Sequence, residues 1–504
     1  MTTQPTTLPI NESELQALKT RFEANGQGHV FHFFDNLEVE QKAQLINQLL
    51  EIDVERLNQI YQKAIEAAEA AATDKETQFE PLPASVFESV PKASAEKIRE
   101  WETIGLSHIA KGQVAVILMA GGQGTRLGSS DPKGCYDINL PSKKSLFQLQ
   151  AERILRLQDI ARQYTKPGKD CIIPWYIMTS GPTHAPTYNF FEKNNFFGLK
   201  KENVIFFEQG VLPCLTMDGK IILEGKDKVA VAPDGNGGIY AAVQNKGVIA
   251  SLKERGILYS HCYCVDNCLA RVADPVFLGY SISKGTDCGV KVVSKTAPEE
   301  PVGVVCVRDG KYGVVEYSEI SQELSEKRQD DGSLAFCAAN IANHFFSTEF
   351  LERVPSFASQ LEYHIAKKKI KYIDLETGEV IAPKSNSGMK LECFVFDVFP
   401  FAQNFSVLEV DRKDDFSPLK NAPGSGADCP ETSRRDIVAQ HVRFIEAAGG
   451  KVVGEHEGDF EKLEFELSSW VSYAGEGLVE YVSGKTITTP AIIETKEDLI
   501  RFAH

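Results

Sequence analysis

The chain of 504 residues contains no apolar run that approaches the roughly 18 residues needed to cross a membrane. Its N-terminus, Met1-Thr2-Thr3-Gln4-Pro5, lacks the basic and then apolar pattern of a secretory signal. We find neither internal repeats nor a sizeable low-complexity block. These absences indicate a soluble, cytoplasmic globular protein, and the length favours roughly three domains.

Positive charge is also scarce. The chain has 54 Lys and Arg residues against 70 Asp and Glu residues, which gives a formal net charge of −16. This balance argues against a general nucleic-acid-binding role, which needs a dominant basic surface, and against docking on anionic membranes. An anionic small substrate stays compatible, because a local cluster of Lys and Arg can bind it within an acidic protein.

The cysteines show no disulfide framework. They number 11, which is odd, and they are scattered, so free and reduced thiols are the simpler interpretation. Cys262, Cys264 and Cys268 cluster, but their spacing is not C-x-x-C and no second pair follows. Buried strand cysteines are therefore favoured over a zinc site.

The two ends of the chain differ in character from its middle. Residues 1–105 have the apolar spacing of helices, with Asn11 and Asp53 as candidate caps, and we interpret them as a helical scaffold. Residues 406–504 combine a helix over about 431–447 with short strands, which predicts a small C-terminal α+β domain.

Between these ends, residues 106–405 are predicted to form a central domain. The run Val114–Met119 is continuously apolar, as in parallel strands that are buried on both faces. Strands are also predicted at 220–224, 259–265 and 289–295, and helices near 237–254 and 275–284. Such alternation predicts an α/β fold with a mixed, mostly parallel sheet. Asp309-Gly310 predicts an added hairpin.

A glycine-rich loop follows the first apolar strand and reads Gly121-Gly122-Gln123-Gly124-Thr125-Arg126-Leu127-Gly128, with Pro132-Lys133 downstream. Glycines admit close backbone approach and positive φ, and consecutive free amides form an anion-binding nest. Arg126 and Lys133 add positive charge suited to a polyphosphate. The loop fits neither the P-loop nor the dinucleotide fingerprint.

The motif G-G-x-G-T-R-L-G-x-x-x-P-K resembles the signature of eukaryotic UDP-sugar pyrophosphorylases. From about residue 10 to the end, the chain is similar to the UDP-N-acetylglucosamine pyrophosphorylase family, with dense matches in blocks such as Ala232–Gly238, Tyr263–Asn267 and Phe416–Asn421. The resemblance implies a Rossmann-like, GT-A-type nucleotidyltransferase core. It also implies synthesis of UDP-N-acetylglucosamine and pyrophosphate from UTP and N-acetylglucosamine 1-phosphate, with Mg²⁺, by a monomer or homodimer.

The resemblance assigns nucleotide-binding and catalytic roles. The UTP-binding residues it implies are Leu118, Met119, Ala120, Gly121, Gly122, Gly124, Lys133, Gln209, Gly235, Asp266 and Lys390. The catalytic residues it implies are Arg126, Lys133 and Lys420. Within these sets, Gln209 would read the uracil edge, for which an amide has matching donor and acceptor groups. Asp266 would hold Mg²⁺, which prefers oxygen ligands.

The resemblance also assigns residues around the amino sugar. They are Asn236, Gly303, Glu316, Tyr317, Asn340, Phe394, Phe396 and Lys420. Glu316 and Asn340 can bind sugar hydroxyls, and Phe394 and Phe396 can wall the acetamido pocket. Core packing at alternate strand positions is the alternative for the two phenylalanines.

The implied mechanism is direct in-line displacement at the UTP α-phosphorus, which needs no side-chain nucleophile. Three other hypotheses stay open at this point. The chain could act on glucose 1-phosphate or on several sugar 1-phosphates. It could be a catalytically silent binder of nucleotide sugars, or its N-terminal helices could serve as a platform for a partner.

Overall fold

The computed structural model of the chain describes residues 8–72, 77–165, 168, 170–454 and 459–504, which cluster into two units. The first unit comprises the chain up to Thr77, Gln209–Ile239 and Ala358–Asp397. The second unit comprises Gln78–Glu208, Tyr240–Phe357 and Val398–His504. Each unit thus assembles stretches that lie far apart in the chain, and the division into three consecutive domains stays a prediction.

The second unit is organised around a sheet of eleven strands. Eight of them lie side by side in the order Phe87–Ser89, Phe405–Val410, Cys288–Ser294, Ala338–Ser347, Tyr259–Cys264, Val114–Met119, Trp175–Thr179 and Val204–Glu208. Neighbours in this row pair in parallel, except that Ala338–Ser347 is antiparallel to both of its neighbours. This topology confirms the predicted mixed, mostly parallel α/β fold.

Three further strands extend the sheet from Ala338–Ser347. They are Val304–Arg308, Lys311–Val315 and Phe79–Glu80. The first two form an antiparallel hairpin through Asp309 and Gly310, whose φ angles are 47° and 75°. Positive φ at both central residues is what a tight hairpin turn requires, so the predicted hairpin is confirmed.

The strand Val114–Met119 is buried at all six positions. It lies between Tyr259–Cys264 and Trp175–Thr179, with helices packed on the sheet, so apolar side chains are favoured on both of its faces. Because all three strands run in parallel, the residues after Met119, Thr179 and Cys264 emerge at one edge of the sheet. In open α/β sheets ligands bind at this carboxyl edge.

The helices of the second unit include one close crossing. The helices Ala95–Ala110 and Pro275–Ser283 cross at Gly105 and Gly279. A Cβ on Gly105 would collide with the backbone of Pro275, and a Cβ on Gly279 would collide with the backbone of Trp101. The α-helices of this unit are Ala95–Ala110, Leu146–Ala161, Gly181–Lys193, Ile239–Asn245, Val248–Glu254, Pro275–Ser283, Gln322–Glu326, Thr348–Arg353, Arg412–Asp415, Pro430–Ala447, Val479–Val482 and Lys496–Phe502. Nowhere in the described part of the chain is a helix both long and apolar enough to span a membrane.

The elements differ from the predicted bounds at three places. The helix predicted near 237–254 is two helices, because Gly247 adopts a φ of 74° that ends the first one. The strand predicted at 220–224 is the shorter Leu223–Gly225. The N-terminal segment is not purely helical, since Phe87–Ser89 joins the edge of the large sheet in parallel with Phe405–Val410.

The first unit combines three helices with short antiparallel strand pairs. Its α-helices are Glu12–Ala24, Val39–Glu51 and Val54–Ala72, and its strands are Val211–Pro213, Leu223–Gly225, Lys228–Val229, Val231–Pro233, His364–Lys368, Tyr372–Ile373, Val380–Ile381 and Gly388–Glu392. The predicted caps are confirmed: Asn11 accepts from the Glu14 amide and Asp53 accepts from the Arg56 amide, both at 3.0 Å. Leu49, which lies on the second helix, shares its core cluster with residues of the strands.

The C-terminal stretch packs into the second unit. Phe405–Val410 is an inner strand of the large sheet, so the boundary predicted at 405–406 falls inside this strand. Two parallel pairs follow, Lys451–Val453 with Thr486–Thr488 and Phe465–Leu467 with Ala491–Ile493. Their apolar residues form one cluster with the Pro430–Ala447 helix and with residues that follow the strand Val114–Met119, such as Leu127.

Candidate functional site

The glycine-rich loop of the second unit is held by backbone bonds at the sheet edge. The Ser180 hydroxyl donates to the Gly121 carbonyl at 2.7 Å. The Lys133 amide donates to the Gly122 carbonyl at 3.2 Å, and the Gly124 amide to the Asp131 carbonyl at 2.9 Å. The loop is therefore a closed turn, and it brings Lys133 back beside the strand end.

Among the loop glycines, Gly122 leaves the backbone open to approach, whereas a Cβ on Gly124 would lie 3.3 Å from the Asp131 carbonyl. Of those between Gly121 and Gly128, only Gly128 has a positive φ, at 76°. Gly122 is exposed, and a Cβ added there would meet nothing within 4 Å. A ligand can therefore approach this backbone directly, although positive φ is not the reason for glycine at 121, 122 or 124. Arg126 lies exposed in the same loop.

Lys133 lies beside Asp266, which follows the neighbouring strand Tyr259–Cys264. Lys133 Nζ is 3.7 Å from Asp266 Oδ2 and donates to the Leu419 carbonyl at 3.1 Å. The side chains of Lys133 and Asp266 are 17% and 24% exposed, so both can meet a ligand while water is partly excluded. Partial exclusion of water strengthens electrostatic interactions of this kind.

A C-terminal segment that includes Lys420 docks on the same strand end. The Asn267 amide side chain donates to the Asp415 carbonyl at 2.7 Å and accepts from the Ser417 amide at 3.0 Å. The Leu419 amide donates to the Asp266 carbonyl at 2.8 Å. These bonds hold Leu419 against Asp266, and the exposed Lys420 directly follows Leu419.

A shared neighbour links the two lysines. Burial raises the pKa of the Cys264 thiol, and the positive charges of Lys420 and Lys133 both oppose that rise. The structure therefore brings together Lys133, Asp266 and Lys420 from three distant parts of the sequence. Two cations and one carboxylate at the carboxyl edge of a parallel sheet suit a polyphosphate with its counter-cation.

The metal-binding capacity of this cluster is that of a single carboxylate. Among the described residues, no group of three or more His, Cys, Asp or Glu side chains is placed to hold a metal ion. Mg²⁺ commonly keeps several waters and takes one or two carboxylates together with substrate phosphates. A partly exposed Asp266 beside the glycine-rich loop fits that mode of binding.

The hairpin brings Gly303, Glu316 and Asn340 together. The Asn340 amide donates to the Gly303 carbonyl at 2.9 Å, and a Cβ on Gly303 would lie 2.9 Å from a Glu316 carboxylate oxygen. The Asn340 side chain accepts from the Ala342 amide at 3.0 Å, where the strand bulges. Tyr317 follows Glu316 and is 56% exposed.

In the first unit, a second glycine loop, Asp234-Gly235-Asn236-Gly237-Gly238, docks on the segment after the strand Gly388–Glu392. The Gly237 amide donates to the Cys393 carbonyl at 2.8 Å, and the Asn236 side chain accepts from the Val395 amide at 2.9 Å. Gly235 has a φ of 87°, and a Cβ there would collide with the Cys393 carbonyl. Glycine is thus required at 235 by both conformation and space.

In the segment after Gly388–Glu392, the side chains alternate between buried and half-buried positions. Cys393 and Val395 are buried, whereas Phe394 and Phe396 are half-buried with ring centroids 5.2 Å apart. The Phe394 ring also stacks on His364 at 4.4 Å. The two phenylalanines therefore lie opposite the buried positions of their segment, which favours a ligand-facing wall over core packing. Lys390 lies within the strand and is half-buried.

Gln209 and Asp234 form a polar pair beside the second glycine loop. Gln209 Nε2 donates to the Gly235 carbonyl at 3.3 Å. Burial raises the pKa of Asp234 to about 6, against opposing hydrogen bonds that include one from Gln209. Asp234 is 8% exposed, and within the described residues its Oδ1 atom has no hydrogen-bond partner. The loop therefore carries a carboxylate that is costly to ionise.

We expect Asp234→Asn to change the pH dependence of stability. Because the folded pKa lies above the ordinary 3.8, the contribution of Asp234 to wild-type stability is greatest below about pH 4 and is lost as pH rises to about 6. A shift of this size corresponds to about 3 kcal/mol, a loss that the neutral amide of the variant would not suffer. Urea denaturation at about pH 4.5 and pH 8 should show the variant gaining on wild type at the higher pH. An equal difference at both pH values would contradict the raised pKa.

Sequence reasoning missed three polar residues of these clusters. Ser180 and Asn267 follow strands that neighbour the first apolar strand, so the adjacency of parallel strand ends could have indicated them. Asp234 lies directly before Gly235, but its burial arises from packing against residues more than 150 positions away, such as Cys393, whose amide donates to the Asp234 carbonyl. No local pattern reveals that burial.

Comparison with known proteins gives consistent matches along the chain. A family model described as UTP–glucose-1-phosphate uridylyltransferase matches residues 54–425. A Xenopus tropicalis protein, "UDP-N-acetylhexosamine pyrophosphorylase-like protein 1", is 46% identical over 499 residues, which cover 96% of this chain and 97% of that protein. The UDP-N-acetylglucosamine pyrophosphorylase of Saccharomyces cerevisiae is 43% identical over 487 residues, which cover 95% and 99%.

A solved structure matches over nearly the same length. The uridine diphosphate N-acetylglucosamine pyrophosphorylase of Trypanosoma brucei, crystallised with an inhibitor, superposes with a TM-score of 0.78 at 31% sequence identity. The match covers 94% of this chain and 95% of that chain. Both the sheet and the segments outside it are therefore shared with that protein.

Proposed function

The chain belongs to the family described as UTP–glucose-1-phosphate uridylyltransferase, and we propose that it makes UDP-N-acetylglucosamine and pyrophosphate from UTP and N-acetylglucosamine 1-phosphate. Near full-length similarity to proteins named for UDP-N-acetylglucosamine supports the amino sugar as substrate. The observation that carries the proposal is that Lys133 and Asp266 lie together after neighbouring parallel strands, and that the segment of Lys420 is bonded to both through Leu419.

The proposed reaction is a direct displacement. A phosphate oxygen of the sugar 1-phosphate attacks the UTP α-phosphorus, the bond from that phosphorus to the bridging oxygen breaks, and pyrophosphate leaves. Such transfers depend on positioning and charge stabilisation rather than on a side-chain nucleophile. Arg126 and Lys133 would hold the leaving phosphates, and Lys420 would hold the sugar phosphate.

Nucleotide binding is proposed to use both glycine loops. The backbone of Leu118, Met119, Ala120 and Gly121 would meet the uracil, and Gly122 and Gly124 would admit the phosphates. Gln209 would pair with the uracil edge, and Gly235 would contact the uridine. Lys390 would contact a phosphate. The absence of a side chain at Gly122 supports this assignment, since it leaves the loop backbone accessible.

We propose Mg²⁺ as the cation, with Asp266 as its protein ligand. When bound, the ion would neutralise charge on the nucleotide phosphates. Lys133, at 3.7 Å from this carboxylate, would help to orient Asp266 toward the loop. The Leu419 carbonyl in turn fixes the Lys133 ammonium group.

Sugar recognition is proposed for the hairpin residues and for the phenylalanine pair. Glu316 would accept hydrogen bonds from sugar hydroxyl groups, and Asn340 would accept or donate them. Gly303, Tyr317 and Asn236 would lie around the sugar ring. Phe394 and Phe396 would wall the acetamido group. Their half-buried position opposite Cys393 and Val395 supports an apolar wall for a ligand.

The N-terminal helices fit a structural role better than a separate partner platform. Leu45, Leu49 and Leu57 are buried in one cluster with Met389 and Leu391 of the strand that carries Lys390. Removing the helices would expose this apolar core to water at roughly 25 cal/mol per Å².

Radioactive pyrophosphate exchange into UTP tests the reaction class. With Mg²⁺ present, direct displacement predicts exchange only when UDP-N-acetylglucosamine or its sugar phosphate is added. Pyrophosphate release from UTP should likewise require a sugar 1-phosphate, and EDTA should abolish both signals. Exchange with UTP and pyrophosphate alone would instead require a uridylylated enzyme, and no release with any sugar would favour a silent binder.

A further inference from the structure

The second unit contains a cavity of about 770 Å³ away from the residues assigned above. It lies among the edge strand Phe87–Ser89, the start of the Ala95–Ala110 helix, the residues after the strand Cys288–Ser294, and the segment 328–338. None of the residues assigned to UTP, Mg²⁺ or the sugar lines it. Its volume falls within the ~300–1,000 Å³ that is typical of small-molecule sites.

Ser89, one of the residues that line the cavity, carries a buried polar atom that nothing in the described part of the chain satisfies. Ser89 is 6% exposed, and its hydroxyl oxygen has no hydrogen-bond partner there. Buried hydroxyl groups are nearly always hydrogen-bonded, so an unpartnered one that lines a cavity points to a ligand. The N-terminus of the 16-residue helix Ala95–Ala110 opens on the same cavity through its Ser94 cap. Helix N-termini favour anions.

The charges around the cavity are mainly positive. Lys92, Lys97, Lys295 and Arg328 line it, against Glu88 and Glu409. Lys97 is paired with Glu88 at 2.9 Å, and Lys92 is 3.8 Å from Asp331 at the rim. This excess of cations contrasts with the net charge of −16 for the whole chain.

Lys295 is the most deeply buried of these cations. It is 8% exposed and donates to the Pro298 carbonyl at 2.8 Å, and no carboxylate of the described residues lies within ion-pair distance of it. Burial lowers its pKa, although the more distant charges of Glu300 and Glu299 oppose that shift. A buried ammonium group without a directly bonded anionic partner is costly unless a ligand supplies the charge.

We propose that this cavity is a second binding site, specific for a small anion that carries a phosphate group. The Ser89 hydroxyl and the amides at the helix start would donate to phosphate oxygens, and Lys295, Lys92 and Arg328 would supply the charge. A tetrahedral dianion suits this set because its oxygens accept from several directions at once.

Calorimetric titration of the full-length chain with inorganic phosphate tests the site. The variant Lys92→Ala/Arg328→Ala removes two exposed cations of the cavity, and Lys111→Ala removes an exposed cation at the other end of the same helix. We expect the double variant to raise the dissociation constant at this site at least tenfold and Lys111→Ala to leave it unchanged. No binding by wild type, or equal binding by the double variant, would overturn the proposal.

Alkylation of cysteines, resolved by peptide mass spectrometry, tells this site from the catalytic loop. Cys337 is half-buried and lines the cavity, whereas Cys135 lies two residues after Lys133. We expect phosphate, but not chloride at equal ionic strength, to slow labelling of Cys337 at least threefold, and Ser89→Ala to weaken that protection. Protection of Cys135 alone would assign the bound phosphate to the catalytic loop and contradict a second site. Neither readout requires turnover, so the result is independent of the proposed reaction.

Discussion

Replacing Lys133 by Ala should lower kcat/KM by about 10²–10³-fold, the range expected when one group that stabilises transition-state charge is removed. The Lys133 ammonium group is fixed by the Leu419 carbonyl at 3.1 Å and by Asp266 at 3.7 Å. It is therefore held in place before substrate arrives. Pyrophosphate release at varied UTP concentrations is the measurement, together with a thermal melt of the variant.

Lys143→Ala is the matched control for this experiment. Lys143 is an exposed lysine ten positions downstream whose side chain donates to Asn139. Its loss removes the same unit of charge, so kcat/KM should stay within about twofold of wild type because distant exposed charges are largely screened. If both variants lost activity equally, or if Lys133→Ala were as active as wild type, the assigned role of Lys133 would be wrong.

Lys291→Met should lower the free energy of unfolding by about 3–5 kcal/mol, as expected when a buried ion pair loses one partner. Lys291 is fully buried and contacts Asp274 at 2.5 Å and Asp415 at 2.7 Å. Burial lowers its pKa, but the two carboxylates outweigh burial and leave the pKa raised. Without the lysine, two buried carboxylates lose their shared cation, although Arg271 lies 3.7 Å from Asp415.

The substitution should also lower the rate of the proposed reaction, because Asp415 begins the segment that carries Lys420. Urea unfolding followed by fluorescence and by circular dichroism gives the stability change. Lys284→Met serves as the control, since Lys284 is 39% exposed and its contact with Glu88 is 3.7 Å long. It should cost no more than about 1 kcal/mol. Equal effects of the two substitutions would mean that the buried cluster contributes no more to stability than a surface pair.

Much of the fold follows from local patterns. Val114–Met119 is predicted as a buried parallel strand because all six residues are apolar, and Asp309-Gly310 is predicted as a turn because both positions tolerate positive φ. Strand order, by contrast, depends on partners far apart in the sequence. The pairing of Phe87–Ser89 with Phe405–Val410 has no local signal, since three residues carry too little periodicity to indicate a strand.

The candidate site likewise combines features that local sequence patterns predict with features that depend on distant residues. The spacing of the glycine loop with Arg126 and Lys133 is sufficient to predict an anion-binding loop. The position of the Lys420 segment beside Asp266 involves Asn267, whose side chain bonds to residues about 150 positions later. The alternation that leaves Phe394 and Phe396 half-buried beside buried neighbours likewise needed the packed structure, because the sequence left core packing open as an alternative.

The most direct test of this account is a competition between N-acetylglucosamine 1-phosphate and glucose 1-phosphate, at equal concentrations with limiting UTP and Mg²⁺. Chromatography of the nucleotide products gives the ratio of the two kcat/KM values. We predict about 10²-fold more UDP-N-acetylglucosamine than UDP-glucose, as expected for a pocket built to bind the acetamido group. Equal amounts, or an excess of UDP-glucose, would contradict the assignment of Asn340, Phe394 and Phe396 to an amino-sugar pocket.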